Sequence, residues 1–232
     1  PFWAPRVAAD LRSIIESHWS LGRWVALQSL LLAGGSYAQT FLTGTMVGLE
    51  GAGRPRALTL LTLPIGQVMN AVGSVLGLPV LAKKYSQQDI RTFQRAVHLL
   101  IYFNVFIAVA NASALITLRH PISGFLLRGT ASSLAWLVPF VGLGPLLSAF
   151  SAYGLALRAA QRTRYYAISG IVSSISGLIS APLFILLWGV PGAIASTILS
   201  SAAVSLITWH LYRRWLADSF PQRSPERPEA IL

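Results

Sequence analysis

The sequence predicts an all-α membrane protein with six transmembrane helices, and three observations support this fold class. Hydrophobic residues make up 54% of the 232 residues and charged residues only 11%, whereas soluble domains carry about 25% charged residues. The mean hydropathy is +0.60. Six stretches of the chain contain no Asp, Glu, Lys or Arg, and each is long enough for the roughly 20 apolar residues that a membrane-spanning helix needs.

The predicted organisation has three parts. Residues 1–23 place apolar side chains at helical spacing between charges, which predicts an amphipathic helix that lies in the membrane interface or packs on protein. Residues 24–212 form the six-helix transmembrane lobe, and residues 213–232 are expected to be a disordered cytoplasmic tail. The predicted spans are 24–48, 57–82, 97–118, 132–156, 165–188 and 191–212. Only Gly189 and Val190 separate the last two spans, which predicts that these two helices form an antiparallel hairpin.

The distribution of positive charge predicts the orientation of these spans. Fourteen of the eighteen Lys and Arg residues fall on one side of the membrane, and only Arg54, Arg56, Arg119 and Arg128 fall on the other. The positive-inside rule therefore places both termini in the cytoplasm. The net charge of +11 follows from this topology, so a nucleic-acid partner is not expected.

Several amide side chains fall within the predicted spans. An unpaired amide in hydrocarbon costs several kcal/mol, so these side chains either pair with one another or line a polar cavity. Small and hydroxyl residues also form stripes along the spans, which is typical of close helix packing in membranes. The amides considered as cavity-lining residues are Gln39, Gln67, Asn70 and Asn104.

Prolines interrupt several of the spans and can bend a helix, because each removes a backbone hydrogen bond. The segment Gly142-Leu143-Gly144-Pro145 in the fourth span combines two glycines with a proline. We therefore expect a hinge at Gly142, Gly144 and Pro145, with a static kink as the alternative.

Catalysis is not expected from this sequence. All seven acidic residues lie outside the spans, the four histidines are far apart, and no cysteine is present. The chain also has no pair of histidines at helical spacing that would hold a metal. The sequence thus predicts no catalytic residue, no metal site and no cofactor.

Four short segments resemble the second half of polysaccharide flippases, the family of O-antigen and teichoic-acid exporters. Residues 19–31 resemble the start of that half, and residues 47–58 (VGLEGAGRPRAL) are similar to the segment that opens its next helix. Residues 157–164 (LRAAQRTR) resemble the basic turn before the penultimate helix, and residues 187–193 the turn that joins the last two helices. The resemblance covers residues 20–212.

This resemblance implies a fold and a function. The superfamily, which includes multidrug extruders of the MATE type, builds two six-helix lobes around a central cavity and works by alternating access. By resemblance, this chain is the C-terminal lobe, and its partner is a missing N-terminal lobe or a second copy. The implied cargo is an oligosaccharide linked to undecaprenyl diphosphate, and the implied location is the bacterial cytoplasmic (inner) membrane, where membrane lipids surround the protein.

The resemblance also implies binding residues. Arg56 stands where the family motif has its arginine, and a guanidinium suits the phosphates of such a cargo. Arg54 precedes it and, together with Pro55, departs from the usual pattern. The alternative for Arg56 is an interfacial anchor that reaches toward water. The amides Gln39, Gln67, Asn70 and Asn104 are the further cavity-lining residues.

Three other hypotheses fit the same sequence. One is a drug or metabolite antiporter of the same superfamily, and another is a membrane enzyme that acts on a polyprenyl lipid. The third is a truncated gene product without a function of its own. The lack of acidic residues inside the spans argues against the enzyme.

Overall fold

The computed structural model describes residues 5–126 and 136–219, and these residues form helices and no strand. A π-helical turn, Val72–Gly77, joins α3 to α4, and a 3₁₀ turn, Ala149–Ser151, joins α8 to α9. The helices are α1 (Pro5–Val47), α2 (Leu49–Leu60), α3 (Leu63–Ala71), α4 (Leu78–Ser86), α5 (Ile90–Thr117), α6 (Arg119–Leu126), α7 (Leu137–Val141), α8 (Leu143–Ser148), α9 (Ala152–Ala159), α10 (Thr163–Trp188) and α11 (Val190–Ser219). The predicted all-α class is confirmed.

Within the described ranges, five helical segments are long and apolar enough to cross a membrane. Their exposed surface carries large apolar side chains, among them Phe106, Leu186 and Leu206, as expected for a surface that faces lipid. The protein is therefore a multi-pass membrane protein. The five segments are Leu63–Ser86, Ile90–Thr117, Leu137–Ala159, Thr163–Trp188 and Val190–Ser219. The predicted span 24–48, which is rich in Ser, Thr and Gln, is not among them.

Helix α1 runs without a break from Pro5 to Val47, so the predicted amphipathic segment continues directly into the predicted first span. Its second half packs along α10. Gln28 lies against Gly170, Gly35 lies against Ser174, and Val47 packs on the buried group of Ala181 and Ile185 of α10 with Ala193 of α11. The residue numbers of α1 and of α10 increase together from one contact to the next, so the two helices run parallel.

Helices α10 and α11 form an antiparallel hairpin, as the two-residue connection in the sequence predicts. Gly189 ends α10 with a φ of 61°, a left-handed conformation that glycine adopts without a steric penalty. The amide of Gly189 donates to the carbonyl oxygen of Ile185 at 2.8 Å. Ser173 Oγ donates to the carbonyl oxygen of Ser200 at 3.4 Å, which ties the two helices together farther from the turn.

Two groups of buried side chains hold the ends of the bundle. At the first end, Phe93 of α5 and Trp215 of α11 pack edge-on, with ring centroids 6.1 Å apart. At the second end, Leu58 of α2 packs with Val138 of α7 and Val190 of α11. Both groups join helices that are distant in sequence, so they fix how the bundle assembles.

The ends of the chain lie only partly within the described ranges. Helix α11 continues to Ser219, so residues 213–219 of the expected disordered tail are helical. The rest of that tail, residues 220–232, lies outside the described residues. The first residues of the predicted fourth span, 132–135, also lie outside them.

Candidate functional site

A polar cavity of about 210 Å³ lies between α1, α2 and α11. It is close to the second end of the bundle, where α1 ends and α11 begins. Most of its lining side chains carry a hydroxyl, an amide or a guanidinium group. The lining residues are Ser36, Gln39, Thr40, Thr43, Pro55, Arg56, Thr59, Ala193, Ile194 and Thr197.

Helix α1 contributes a stripe of four polar side chains to this cavity. Ser36, Gln39, Thr40 and Thr43 are spaced at i, i+3, i+4 and i+7, so they share one face of the helix. Thr40 Oγ1 donates to the carbonyl oxygen of Ser36 at 3.0 Å, and Thr43 Oγ1 donates to that of Gln39 at 2.8 Å. Since their protons are used within the helix, these hydroxyl oxygens remain as acceptors toward the cavity.

Gln39 connects α1 to α11. Its Nε2 donates to Ser196 Oγ at 2.6 Å, to Thr197 Oγ1 at 3.0 Å and to the carbonyl oxygen of Ala193 at 3.1 Å. Both hydroxyl groups in turn donate to the carbonyl oxygen of Ala193. The amide nitrogen carries only two protons, so the three contacts share them. Gln39 thus has a structural role in the wall of the cavity.

Arg56 of α2 supplies the positive charge at the cavity. The preceding residue, Pro55, is buried, while the Arg56 side chain is exposed beside the hydroxyl stripe. Thr59 Oγ1 donates to the carbonyl oxygen of Arg56 at 2.9 Å, so it too remains an acceptor toward the cavity. Among the side chains that the structure describes, no carboxylate pairs with Arg56.

The structure brings Arg56 and Gln39 to one cavity and places the other predicted binding residues elsewhere. Gln67 and Asn70 are exposed on α3, and Arg54 is half-buried on α2 outside the cavity lining. Asn104 is buried on α5, where its Nδ2 donates to the carbonyl oxygen of Ala149 at 3.4 Å and its Oδ1 has no partner. A buried hydrogen bond of this kind fits the structural alternative for Asn104.

Sequence reasoning did not single out Ser36, Thr40 and Thr59 as site residues. A signal for the first two was present, because they repeat the helical spacing of Gln39 and Thr43. Thr59 likewise follows Arg56 at helical spacing, but the pattern does not show that α2 folds back across α1 and α11, which brings both residues to the cavity.

The expected hinge coincides with a break between two short helices. Gly142 ends α7 and begins α8, with helix-like dihedral angles. A Cβ atom at Gly142 would lie 3.2 Å from the Cβ atom of Ala112 on α5, whereas one at Gly144 would have no neighbour within 4 Å. Pro145 is buried. The break is therefore packed closely against α5 at Gly142.

The side chains at this site can form hydrogen bonds with a ligand. No group of three or more His, Asp or Glu side chains that could hold a metal is found in the part of the chain that the structure describes. The cavity combines one guanidinium donor with several hydroxyl acceptors. Such an arrangement offers a donor to an acidic group and acceptors to hydroxyl groups.

Comparison of the chain with protein-family models, with curated proteins and with solved structures gives no significant match.

Proposed function

We propose that this protein carries a lipid-linked oligosaccharide across a membrane, as the C-terminal lobe of a two-lobe transporter of the flippase type. The observation that carries the proposal is the position of Arg56 beside hydroxyl oxygens whose protons are bound within their own helices. A phosphate accepts hydrogen bonds from a guanidinium, and a sugar donates them to hydroxyl oxygens. One small cavity thus offers partners to both parts of such a headgroup.

The size of the cavity suits one part of such a headgroup, a phosphate with the adjoining sugar, and not a whole drug molecule. Its volume is about 210 Å³, whereas sites for drug-sized ligands measure about 300–1,000 Å³. The long polyprenyl tail of a lipid-linked cargo would remain outside, in contact with the apolar surface of the bundle.

The path of α1 supports a sixth membrane span in the proposed lobe. Residues 24–47 lie parallel to α10 along most of its length, from Gln28 beside Gly170 to Val47 at the buried group that includes Ala181 and Ile185. Helix α10 is long and apolar enough to cross a membrane, so a helix that follows it crosses the same thickness. In a chain of six consecutive spans, the first and the fifth run in the same direction, as these two do.

Exposed polar side chains on α3 support a partner for the lobe. Gln67 and Asn70 are exposed on a segment that is otherwise apolar enough to lie in lipid. An exposed amide is costly in hydrocarbon, so we expect this face to meet a second lobe, or a second copy of the chain, across a wet cavity. In the same proposal the lobe lies in the bacterial cytoplasmic membrane with both termini in the cytoplasm.

The site is tested by binding and transport in lipid vesicles. The probe is an undecaprenyl-diphosphate disaccharide with a fluorophore on the sugar, and transport is followed by quenching from outside. We expect Arg56→Ala to weaken binding by about tenfold or more, because a hydrogen bond to a charged group contributes about 1.5–3 kcal/mol. The matched control is Arg119→Ala, since Arg119 is also exposed and lies on the same predicted side.

Two results would contradict the proposal. The first is equal binding of the probe by the wild type and by Arg56→Ala. The second is an equal loss of probe binding in Arg56→Ala and in Arg119→Ala, which would show a general effect of charge and no site at Arg56.

One observation favours a drug antiporter as a second candidate. An apolar cavity of about 470 Å³ is lined by Trp136, Phe140 and Trp188, and this volume lies in the range for drug-sized ligands. Transport of an aromatic cation such as ethidium, lost in Trp188→Ala and retained in Arg56→Ala, would select the antiporter. Absence of ethidium transport by the wild-type protein would reject it.

A further inference from the structure

A second polar cavity, of about 520 Å³, lies at the first end of the bundle, far from Arg56 along α1 and α10. Three arginines line it: Arg162 from the turn between α9 and α10, Arg164 from the first turn of α10, and Arg214 from α11. Trp24 of α1 and Tyr165 of α10 complete the wall. Three separate elements thus bring guanidinium and aromatic groups to one place.

The backbone that carries two of these arginines is held by hydrogen bonds. At the end of α9, Gln161 adopts a left-handed φ of 58°. The amide of Arg162 donates to the carbonyl oxygen of Leu157 at 2.8 Å. The amide of Gln161 donates to the carbonyl oxygen of Arg158 at 2.9 Å. These two bonds define a Schellman motif, which fixes the end of a helix. Arg162 and Arg164 therefore project from an ordered turn.

No carboxylate within the described part of the chain lines this cavity. Of the two carboxylates whose side chains are described, Asp89 caps α5, and Asp218, four residues after Arg214 on α11, lines an adjoining cavity that shares Arg162 and Tyr165 with this one. Neither lines the cavity of Arg164 and Arg214. Helix α10 also begins here without a side-chain cap, and the start of a helix favours an anion.

Aromatic side chains indicate that this cavity lies at the depth of the lipid headgroups. Trp and Tyr are enriched where membrane meets water, and at this end three arginines stack on such rings. The guanidinium carbon of Arg23 lies 5.5 Å from the ring centroid of Trp24. The same distance is 5.4 Å for Arg158 and Tyr166, and 5.2 Å for Arg213 and Trp209. An anion that enters the cavity from the membrane is the headgroup of a lipid.

We infer that this cavity binds the phosphate of an anionic phospholipid headgroup, with Arg162, Arg164 and Arg214 as hydrogen-bond donors. Basic pockets between transmembrane helices recognise anionic headgroups in this way. The volume exceeds that of the Arg56 cavity, so a phosphoglycerol group fits as well as a bare phosphate. The inference does not depend on the proposed cargo, because the two cavities share no residue.

The test measures the thermal unfolding of the purified full chain in detergent while single compounds are added. We expect phosphatidylglycerol to raise the unfolding temperature of the wild type and phosphatidylcholine to leave it unchanged. Inorganic phosphate and glycerol 3-phosphate separate a soluble anion from a lipid, and we expect both to bind at least tenfold more weakly than phosphatidylglycerol. Equal effects of phosphate and phosphatidylglycerol would overturn the assignment to a lipid.

Two double variants carry the same change in charge at the same end of the bundle. Arg164→Gln with Arg214→Gln is expected to weaken phosphatidylglycerol binding by about tenfold or more, whereas Arg91→Gln with Arg95→Gln leaves it unchanged. Arg91 and Arg95 are exposed on α5 and lie outside the cavity. Equal losses in the two double variants would overturn the site in favour of a general charge effect. If the first double variant does not fold, the single variants of Arg162, Arg164 and Arg214 are measured, and wild-type affinity in all three would overturn it.

Discussion

The side chain of Gln28 on α1 lies directly against Gly170 on α10. A Cβ atom at position 170 would fall on Gln28 Cγ and lie 3.0 Å from its Cδ. Gln28 is buried, and its Oε1 has no hydrogen-bond partner among the residues that the structure describes. The parallel packing of α1 on α10 therefore depends on the absence of a side chain at position 170.

We expect Gly170→Ala to destabilise the protein by about 1–3 kcal/mol, the range for an extra methyl group in a packed interior. Adding Gln28→Ala removes the obstacle, so the double variant should be more stable than the sum of the single effects predicts. Thermal unfolding of the four proteins in detergent measures this coupling.

The control for this pair is Gly34→Ala on α1, the helix of Gln28, where a Cβ atom would meet nothing within 4 Å. This variant should be as stable as the wild type or slightly more stable, since alanine favours helix over glycine. Additive effects of Gly170→Ala and Gln28→Ala would show that the two residues do not meet.

At Gly192, the backbone of α11 lies close to the backbone of α10. A Cβ atom there would fall on the carbonyl oxygen of Phe184 and lie 2.9 Å from the amide nitrogen of Ile185. Both are backbone atoms, so no rotation of a side chain relieves the contact. We expect Gly192→Ala to cost about 3 kcal/mol or more and to lower the yield of monodisperse protein in size-exclusion chromatography.

Gly66→Ala is the matched control for that variant, because position 66 on α3 has open space around it. A Gly192→Ala protein with the yield and unfolding temperature of Gly66→Ala would contradict the close approach of the two helices.

The amide of Gln39 should contribute to stability, in contrast to that of Gln67. Gln39 Nε2 reaches three acceptors on α11, whereas Gln67 is exposed. Hydrogen bonds between transmembrane helices contribute about 0.6 kcal/mol on average and up to about 1.7. We therefore expect Gln39→Leu to lower the free energy of unfolding by about 1–2 kcal/mol and Gln67→Leu to change it by less than about 0.5. Urea or detergent titration of both variants measures the difference, and equal effects would count against the bridge.

The N-terminal cap of α5 predicts a pH dependence below neutrality. The Thr92 hydroxyl donates to Asp89 Oδ2, and the Thr92 amide donates to Asp89 Oδ1 at 3.0 Å. These bonds, with Lys84 nearby, lower the pKa of the Asp89 carboxyl below its ordinary value of 3.8. Because the pKa of Asp89 is lowered by folding, its stabilisation is complete above the pKa of the unfolded chain. It is lost as the pH falls through the pKa of the folded protein.

Thr92→Val removes the hydroxyl bond, so the pKa of Asp89 should rise toward 3.8 and the acid loss of stability should begin at higher pH. Asp89→Asn keeps an oxygen acceptor at the cap but removes the charge, so this part of the pH profile should disappear. Thermal unfolding followed from neutral pH to below 3.8 compares the three proteins. An unchanged acid limb in Thr92→Val would contradict the assigned cause.

The sequence alone determined the parts of this protein that depend on composition and local pattern. Long apolar stretches without charge predict membrane helices, because the lipid interior excludes charged side chains and unpaired backbone groups. The two-residue link at Gly189 and Val190 likewise predicts the hairpin of the last two helices. Each of these properties is carried by residues that are close together in the chain.

The tertiary structure alone decided which polar groups meet. Helical spacing shows that Gln39 and Thr43 share a face, but not that Ser196 and Thr197 lie opposite them. Gln39 and Gln67 are the same residue type in similar apolar surroundings, yet one bridges two helices and the other is exposed. A periodic pattern specifies the direction of a side chain on its own helix, whereas its partner depends on how distant helices pack. For this reason the cavity of Arg56 exists only where α2 folds across α1 and α11.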